Sequence, residues 1–561
     1  MMMSGAQIVI RALESEGVDT VFGIPGGSSM ALYDELSDSS IRHILTRHEQ
    51  AAVHAADGYA RASGRVGVCF ATSGPGATNL VPGLATAHMD SIPLVAVTAQ
   101  VSRDLIGKDA FQEADIFGIT IGVTKHNYLV RDISDLTRVI KEAFYVASTG
   151  RKGPVLVDVP RDILKMSAPF VYPTDVNLPG YRPHRSVDDD TIRSVTQTIA
   201  DARKPVIVSG GGVRASGASE QITQIAEMCH IPVVCTLMGL GTIRADHPLF
   251  MGMLGMHGTH AANKCVTHAD LLVVVGARFG DRAFGVLNRS GHDTQIVHID
   301  IDPAEIGKNV RVGISVASDA RDALCRLIQQ LSDAPLPEKR TDKWLLQVRR
   351  WKALGNTWGE TSGRLKPQRV IQQIWEAAGE DGIVTTEVGQ HQMWAALCCR
   401  ASSPRRFITS GGLGTMGFGF PAAIGAKAAI PSAPVLVIAG DGSMQMNIQE
   451  LATIVQHDLP VVVCVINNGA LGMVRQWQEL FYKRNFVAVD LGNIPDFAKI
   501  ASAYGIEGSR VTEAEEVLPA LKNALDSGKP WVLDFIVDPE ENVFPMTMEG
   551  KPVAPRRADK D

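Results

Sequence analysis

The chain has 561 residues, 45% hydrophobic and 20% charged, with a formal net charge of −6. That length exceeds one core and predicts about three domains of ~150–200 residues, while the slight acidity argues against nucleic acid, whose binders carry a basic surplus. Eight scattered cysteines without a C-x-x-C pair, two of them the adjacent Cys398 and Cys399, lead us to expect reduced thiols in a cytoplasmic protein.

From the first residue, "MMMSGAQIVIRALESEGVDTVFG" has neither the basic end nor the apolar centre of a signal peptide. Ile10, Leu13 and Gly17 follow helical spacing instead. Strand-like runs then alternate with amphipathic stretches: "VGVCFAT" (66–72), "PLVAVTA" (93–99) and "PVLVDVP" (154–160), then "KPVIVSG" (204–210), "LLVVVG" (271–276) and "QIVHIDID" (295–302), and finally "PVLVIAG" (434–440) and "PVVVCVIN" (460–467). This alternation predicts α/β domains with doubly wound, largely parallel sheets. None of the runs approaches the ~20 residues of a membrane span. Polar, proline-bearing stretches at about 166–188 and 333–367 read as linkers. Three domains are therefore expected at 1–165, 188–330 and 368–540, with a polar tail at 541–561. The first and third each place a glycine-rich loop after a strand, "TSGPGATN" (72–79) and "SGGLGTMGFGFP" (410–421). Ligands settle beyond the carboxyl ends of parallel strands, so two such domains facing each other are suited to hold one ligand between them.

In the third domain "VLVIAGDGSMQMN" places Asp441 between Gly440 and Gly442, where a buried strand should end. Taken alone, Asp-Gly is a hairpin signal. The continuation decides otherwise: a helix-like segment follows, then "PVVVCVI", which closes on Asn467-Asn468-Gly469. A β-α-β crossover sets Asp441 and Asn468 side by side at the ends of neighbouring parallel strands. Hard oxygen ligands there suit Mg²⁺, which completes its shell with phosphate oxygens and water, and the glycines let backbone amides approach a phosphate.

These residues, together with "RHEQAAVHAADGYARASG", "DAFQEAD", "LGMHGT", "HIDIDPAEIGKN", "EVGQHQMWAA" and "LGMVRQWQELFY", resemble the catalytic subunit of the acetohydroxyacid (acetolactate) synthase family of thiamin diphosphate (ThDP) enzymes, over about 4–545. The resemblance implies a pyrimidine-binding first domain, a central FAD-binding-like domain and a diphosphate-binding third domain. It implies that Glu49 of "RHEQ" is the carboxylate on the aminopyrimidine ring, against the bland reading of an acid favouring a helix N-terminus; His48 and His54 read as structural. Met416 of "GTMG" would prop the cofactor's bent form, or simply fill core. Gly389, Gln390, His391, Gly414, Gly440, Gly442 and Ser443 would surround ThDP, and the Ala470 carbonyl would join Asp441 and Asn468 on Mg²⁺. Gly27, in the Pro25-Gly26-Gly27 loop, and Gln112 would lie at the active centre, with Phe111 on the substrate.

The middle domain carries Gly210, Gly211 and Gly212 after a strand, a loose G-x-G-x-x-A match, with Asp300 and Asp302 ending a later strand. The resemblance implies a structural FAD there, on Arg161, Gly211, Gly212, His257, Gly258, Gly276, Arg278 and Asp300. It further implies Arg282 on the carboxylate of the second substrate, whose geometry a guanidinium fork suits, and Met473 and Trp477 around its side chain, Trp477 favouring 2-oxobutyrate. Arg282 as a surface ion-pair former and Trp477 as a packing anchor remain alternatives.

The implied reaction decarboxylates pyruvate and joins the remainder to pyruvate or 2-oxobutyrate, a step toward branched-chain amino acids. The implied assembly is a homodimer or tetramer with the site at the subunit boundary, with a small regulatory subunit as a possible partner. The other readings are a related ThDP carboligase or decarboxylase, a flavin-using pyruvate oxidase and a noncatalytic module. The chain departs from the family at Ser28 and Ser29, at Gly280 with Ala283-Phe284, and in "VFPMTMEGKPV".

Overall fold

The computed structural model describes residues 2–183, 186–285, 294–335, 340–355, 363–493, 495–548 and 551–553. Three six-stranded sheets organise it, each wholly parallel. The first comprises Thr20–Gly23, Arg42–Leu45, Gly67–Ala71, Leu94–Gln100, His126–Leu129 and Pro154–Pro160; the second Pro205–Ser209, Val233–Cys235, Phe250–Met253, Leu271–Val275, Gln295–Asp300 and Ile314–Ala317; the third Ile383–Thr386, Phe407–Thr409, Val435–Gly440, Val461–Asn467, Glu507–Val511 and Trp531–Ile536. The chain is α/β with doubly wound sheets. Val435–Gly440 and Val461–Asn467 are buried at every position, as apolar β-branched runs are when helices cover both faces of a sheet.

Numbered in chain order, the strands of the first and third sheets share the spatial order 2-1-3-4-6-5, and the middle sheet runs 3-2-1-4-5-6. In each order strand 1 lies between strand 2 and a later strand (3 in the first and third sheets, 4 in the middle one), and the crevice beyond the ends of strand 1 and that later strand is open to a ligand. In the first sheet those ends lead into Ile24–Gly27 and Thr72–Gly76, in the second into Gly210–Gly212 and Gly276, in the third into Glu387–Gly389 and Asp441. The glycine loops thus mark all three switch points.

One apolar core joins the first and third sheets. Its centre is the crossing of the helices Glu49–Ser63 and Gly419–Ala429. A Cβ at Gly425 would lie 1.8 Å from the Ala55 carbonyl oxygen, and one at Gly58 would lie 2.1 Å from that of Ala422, so the helices meet backbone against backbone. Arg61 locks the crossing: it pairs with Asp57 and with Asp90 (2.9 Å) and donates to the Thr409 carbonyl (3.0 Å).

Several expectations change. The first helix, Gly5–Ser15, begins at a capping box between Ser4 and Gln7 and ends before Gly17, which takes a left-handed φ of 74° rather than a helical place. The expected linker at 333–367 holds the helix Asp342–Ala353, because Trp344, Leu345 and Val348 bury against the middle domain and the Trp344 indole donates to the Pro205 carbonyl (3.1 Å). In the linker at 166–188, Ser167–Pro169 pairs antiparallel with Met2–Ser4. Within the expected tail, Met546–Met548 pairs with Lys551–Val553; residues 549–550 and 554–561 lie outside the described residues, as do 184–185, 336–339 and 356–362 of the linkers. Asp441 opens a helical turn, Asp441–Met444, rather than a hairpin. Among the described residues no helix is long and apolar enough to cross a membrane.

Candidate active site

At the third switch point, Gly440 pairs with Ile466, so Asp441 and Asn468 follow directly on neighbouring strands. Asp441 accepts from Gly442 N (2.9 Å) and Gly469 N (2.8 Å), clasping both strand ends. Asn468 accepts from Ala470 N (3.1 Å) and donates to Gln390 Oε1 (3.2 Å), and Ser443 Oγ accepts from Gly440 N (3.1 Å). Burial pushes the Asp441 carboxyl up to about 6, against the pull of those amides. A divalent cation would favour the ionised form again. Hard side-chain and backbone oxygens at the ends of adjacent strands match Mg²⁺.

His391 lies in the helix Gln390–Leu397, its ring wedged where a Cβ at Gly389 would come within 2.7 Å and one at Gly440 within 2.9 Å. Burial holds it neutral, lowering its pKa to about 3, and Nε2 is buried without a partner. The glycine backbone on either side of it can approach a phosphate closely. The loop before Gly419 carries Gly414, at a left-handed φ of 70°, and Met416. Glu387, fully buried and raised to about 7 by burial, accepts from Gly417 N (2.6 Å) and Phe420 N (3.0 Å), fixing the backbone beside Met416.

At the first switch point Glu49 opens its helix, with the His48 side chain capping Gln50 N (3.0 Å). Asn79 Nδ2 donates to Glu49 Oε2 (3.0 Å), and a Cβ at Gly76 would lie 3.2 Å from Oε1. A Cβ at Gly26 would strike Thr72 at 2.6 Å, whereas one at Gly27 meets nothing within 4 Å. Ser28 bonds Ser73 Oγ (2.9 Å), tying the departing serine to the glycine loop, and Ser29 Oγ accepts from Gly26 N (3.0 Å). Gln112 takes a left-handed φ of 60° with its backbone against Gly74, and Phe111 beside it is 87% exposed. His54 is fully buried against Phe418.

A cavity of about 1050 Å³ runs from the middle domain to the third. Gly211, Gly212, His257, Gly276, Arg278 and Asp300 line one part; Gly389, Gly414, Met416, Met473 and Trp477 line the other. Arg282 lies over the Trp477 ring, 5.4 Å from guanidinium to centroid, so the two side chains assigned to the second substrate meet at this cavity. Glu49, Gly27, Phe111 and Gln112 do not line it; Glu49 and Gln112 lie against the Gly74–Asn79 segment of the first domain. Asp441, Asn468 and Ala470 adjoin it through the Gly389–His391 corner rather than lining it. Two FAD candidates are also outside: Arg161 is exposed where its helix begins after Pro160, and Gly258 is enclosed by the backbone of Met253–Gly255. The Asp302 carboxylate is taken by Arg151 (3.0 Å), whereas Asp300 faces the cavity and burial raises it to about 6.

Three family models match the chain in succession: the thiamine pyrophosphate enzyme N-terminal TPP binding domain over 3–119, the central domain over 192–327 and the C-terminal TPP binding domain over 387–535. The chain is 48% identical over 558 residues to a probable acetolactate synthase large subunit of Methanocaldococcus jannaschii, covering 98% of this chain and 94% of that one. It is 48% identical to an acetolactate synthase of Mycobacterium bovis (98% and 90%) and 46% identical to the acetolactate synthase isozyme 3 large subunit of Escherichia coli (98% and 97%). The chain belongs to the acetolactate synthase large-subunit family. As an acetolactate synthase family member it is a ThDP-dependent enzyme, and its three sheets correspond to the three family domains.

Sequence reasoning passed over three residues in this family member's site. Glu387 stands at a strand end before a glycine-bearing loop, the same signal that singled out Asp441. Arg214 follows the Gly210–Gly212 loop and lines the cavity half-buried, its pKa lowered to about 10 by desolvation beside Arg61; a cation behind a glycine loop fits a dinucleotide's phosphates. Asp90 accepts from Gly411 N (3.1 Å) and Gly412 N (2.7 Å) and so carries the loop that leads to Met416. Only the fold brings it there.

Proposed function

We propose that this chain catalyses acetolactate synthesis: two pyruvate molecules give 2-acetolactate and CO₂, and 2-oxobutyrate as the second substrate gives 2-aceto-2-hydroxybutyrate. The observation that carries this reading is the single cavity in which Gly389 and Met416 meet the Arg282–Trp477 pair. A cofactor end and a carboxylate-recognising end share one space.

ThDP, when bound, supplies a nucleophilic carbon that also holds the electron pair left by departing CO₂. The chain's residues bind and orient it. The amides near Gly440 and Gly442 would take its diphosphate, with His391 packed beside them, and Asp441, Asn468 and the Ala470 carbonyl would hold Mg²⁺. Asn79 engages Glu49 Oε2, leaving Oε1 to exchange a proton with the aminopyrimidine ring as a positioned general acid–base. Met416 supports the cofactor's bend, held by the Glu387 contacts. Arg282 would bind the second substrate's carboxylate, and Trp477 would press on its alkyl group.

FAD is the ligand proposed for the middle-domain part of the cavity, supported by the glycine loop at its switch point, half-buried Arg214 and buried Asp300. Because Glu49 does not line the cavity that Gly389 lines, we propose a homodimer that brings Glu49 of each chain to the partner's diphosphate end, with tetramers and a small regulatory subunit as further assembly. Cytoplasmic residence is proposed from eight unbridged cysteines.

The test incubates the protein with ThDP, Mg²⁺ and pyruvate, with and without FAD, and measures acetolactate as acetoin after acid treatment. Acetolactate is expected, with FAD required. Free acetaldehyde as sole product, or oxygen uptake matching pyruvate loss, would overturn the reading in favour of a decarboxylase or an oxidase.

A further inference from the structure

We infer that Glu450 is a positioning residue for Glu49, acting through the backbone of the segment that presents it. The inference rests on the proposed role of Glu49 as the acid facing the cofactor ring. Glu450 ends a 3₁₀ turn, Ile448–Glu450, that follows the Asp441 motif, and it starts the helix Leu451–Gln456 in the third domain. Its side chain is fully buried, and it reaches the backbone of the first domain. Both carboxylate oxygens accept from Arg47 N (2.9 and 3.2 Å), and Oε2 accepts from Thr453 Oγ1 (2.6 Å). The His48 amide also faces the carboxylate. Thus the backbone one and two residues before Glu49 is held by one buried acid from another domain.

The rest of this helix holds the same segment. His457 Nε2 accepts from Leu45 N (2.9 Å), Thr453 Oγ1 approaches the Leu45 carbonyl (3.3 Å), and the Arg47 guanidinium donates to Gln456 Oε1 (2.6 Å). Leu45 ends an edge strand of the first sheet, Arg42–Leu45, with no following strand to fix its exit. Within the first domain Thr46 N bonds the Gly23 carbonyl (3.3 Å), and beyond it the backbone of residues 47 and 48 is directed by the third domain. A proton-exchanging carboxyl must be held within about 0.5 Å of its working place, and a loop fastened only at its two ends does not supply that.

The chemistry of the clasp is specific. Arg47 N and Thr453 Oγ1 are donors, and a carboxylate is an acceptor at both oxygens. Glu450→Gln keeps the shape and can still meet Thr453 Oγ1, which then accepts, but it replaces the charged two-oxygen acceptor of Arg47 N by a single neutral amide oxygen, so the hold on that backbone weakens. A role as domain cement predicts lost stability at unchanged turnover. Positioning predicts lost turnover in a folded enzyme.

The experiment compares wild type, Glu49→Gln, Glu450→Gln and the double variant as ThDP–Mg²⁺–FAD enzyme, reading kcat and KM for acetolactate formation and the melting temperature. Glu450→Gln is expected to lower kcat about tenfold or more with KM for pyruvate within about twofold. In the Glu49→Gln background it should change kcat by less than about twofold, because the group it positions is gone. Unchanged kcat in Glu450→Gln, or losses that multiply in the double variant, would overturn the inference. If Glu450→Gln does not fold, Thr453→Val removes one of its donors; a kcat loss that vanishes beside Glu49→Gln supports the inference, and unchanged kcat sinks it. A Glu49→Gln enzyme with near-normal turnover would instead refute the role of Glu49 itself.

Discussion

Trp477 shows how one side chain connects packing to selectivity. Its ring receives the Arg282 guanidinium on one side and packs edge-on against Phe481, 5.3 Å between centroids. The indole is thus held flat at the cavity, where an acceptor's alkyl group would rest. A methylene in an apolar pocket is worth roughly 1–3 kcal/mol. Trp477→Leu is therefore expected to keep turnover on pyruvate alone while 2-oxobutyrate preference falls about tenfold, read as the product ratio from a mixture of both acids. An unchanged ratio would remove Trp477 from selection. Asp441 was readable as a strand-end acid because glycines flank it. The burial of the His391 ring was not: it is a property of the surroundings, which include Gly389 and Gly440, one just past a strand and the other ending the neighbouring strand.

Among elements, the crossing of Glu49–Ser63 with Gly419–Ala429 sets the distance between the first and third sheets. Alanine in place of glycine inside a helix gains about 1 kcal/mol of propensity. At Gly425 this gain is outweighed, because the added methyl meets a carbonyl 1.8 Å away that cannot rotate aside. Gly425→Ala should lose about 2 kcal/mol or more in denaturant unfolding, and equal or higher stability would show that the helices separate freely there. The strands were legible, since runs such as "LLVVVG" occur where both faces are covered. The helix Asp342–Ala353 was not. Its few apolar residues sit among charges and near Pro335 and Pro337, and only contact with the middle sheet makes Trp344, Leu345 and Val348 a buried face.

For the whole molecule, the placing of Glu49 outside the cavity lined by Gly389 and Met416 makes a prediction about subunits. Glu49→Gln and Asp441→Asn chains, each nearly inactive, are mixed after denaturation and refolded together. If each site draws Glu49 from one chain and Asp441 from the other, half of the dimers are mixed and each has one intact site. About a quarter of wild-type activity should return. No recovery, from dimers shown to be mixed, would place both residues in one chain's site. By itself, the amino-acid sequence determined the sheets, the glycine-marked strand ends and the identity of the groups at them, because β-branched runs, strand-end acids and glycines are local signals tied to backbone geometry. Tertiary structure alone decided which ends face one cavity: it joined Arg282 to Trp477, excluded Arg161, and put Glu450 under the backbone that leads to Glu49. Those pairings span tens to hundreds of residues, and the buried acid, the helix crossing and the strand order that create them are cooperative features of the packed chain.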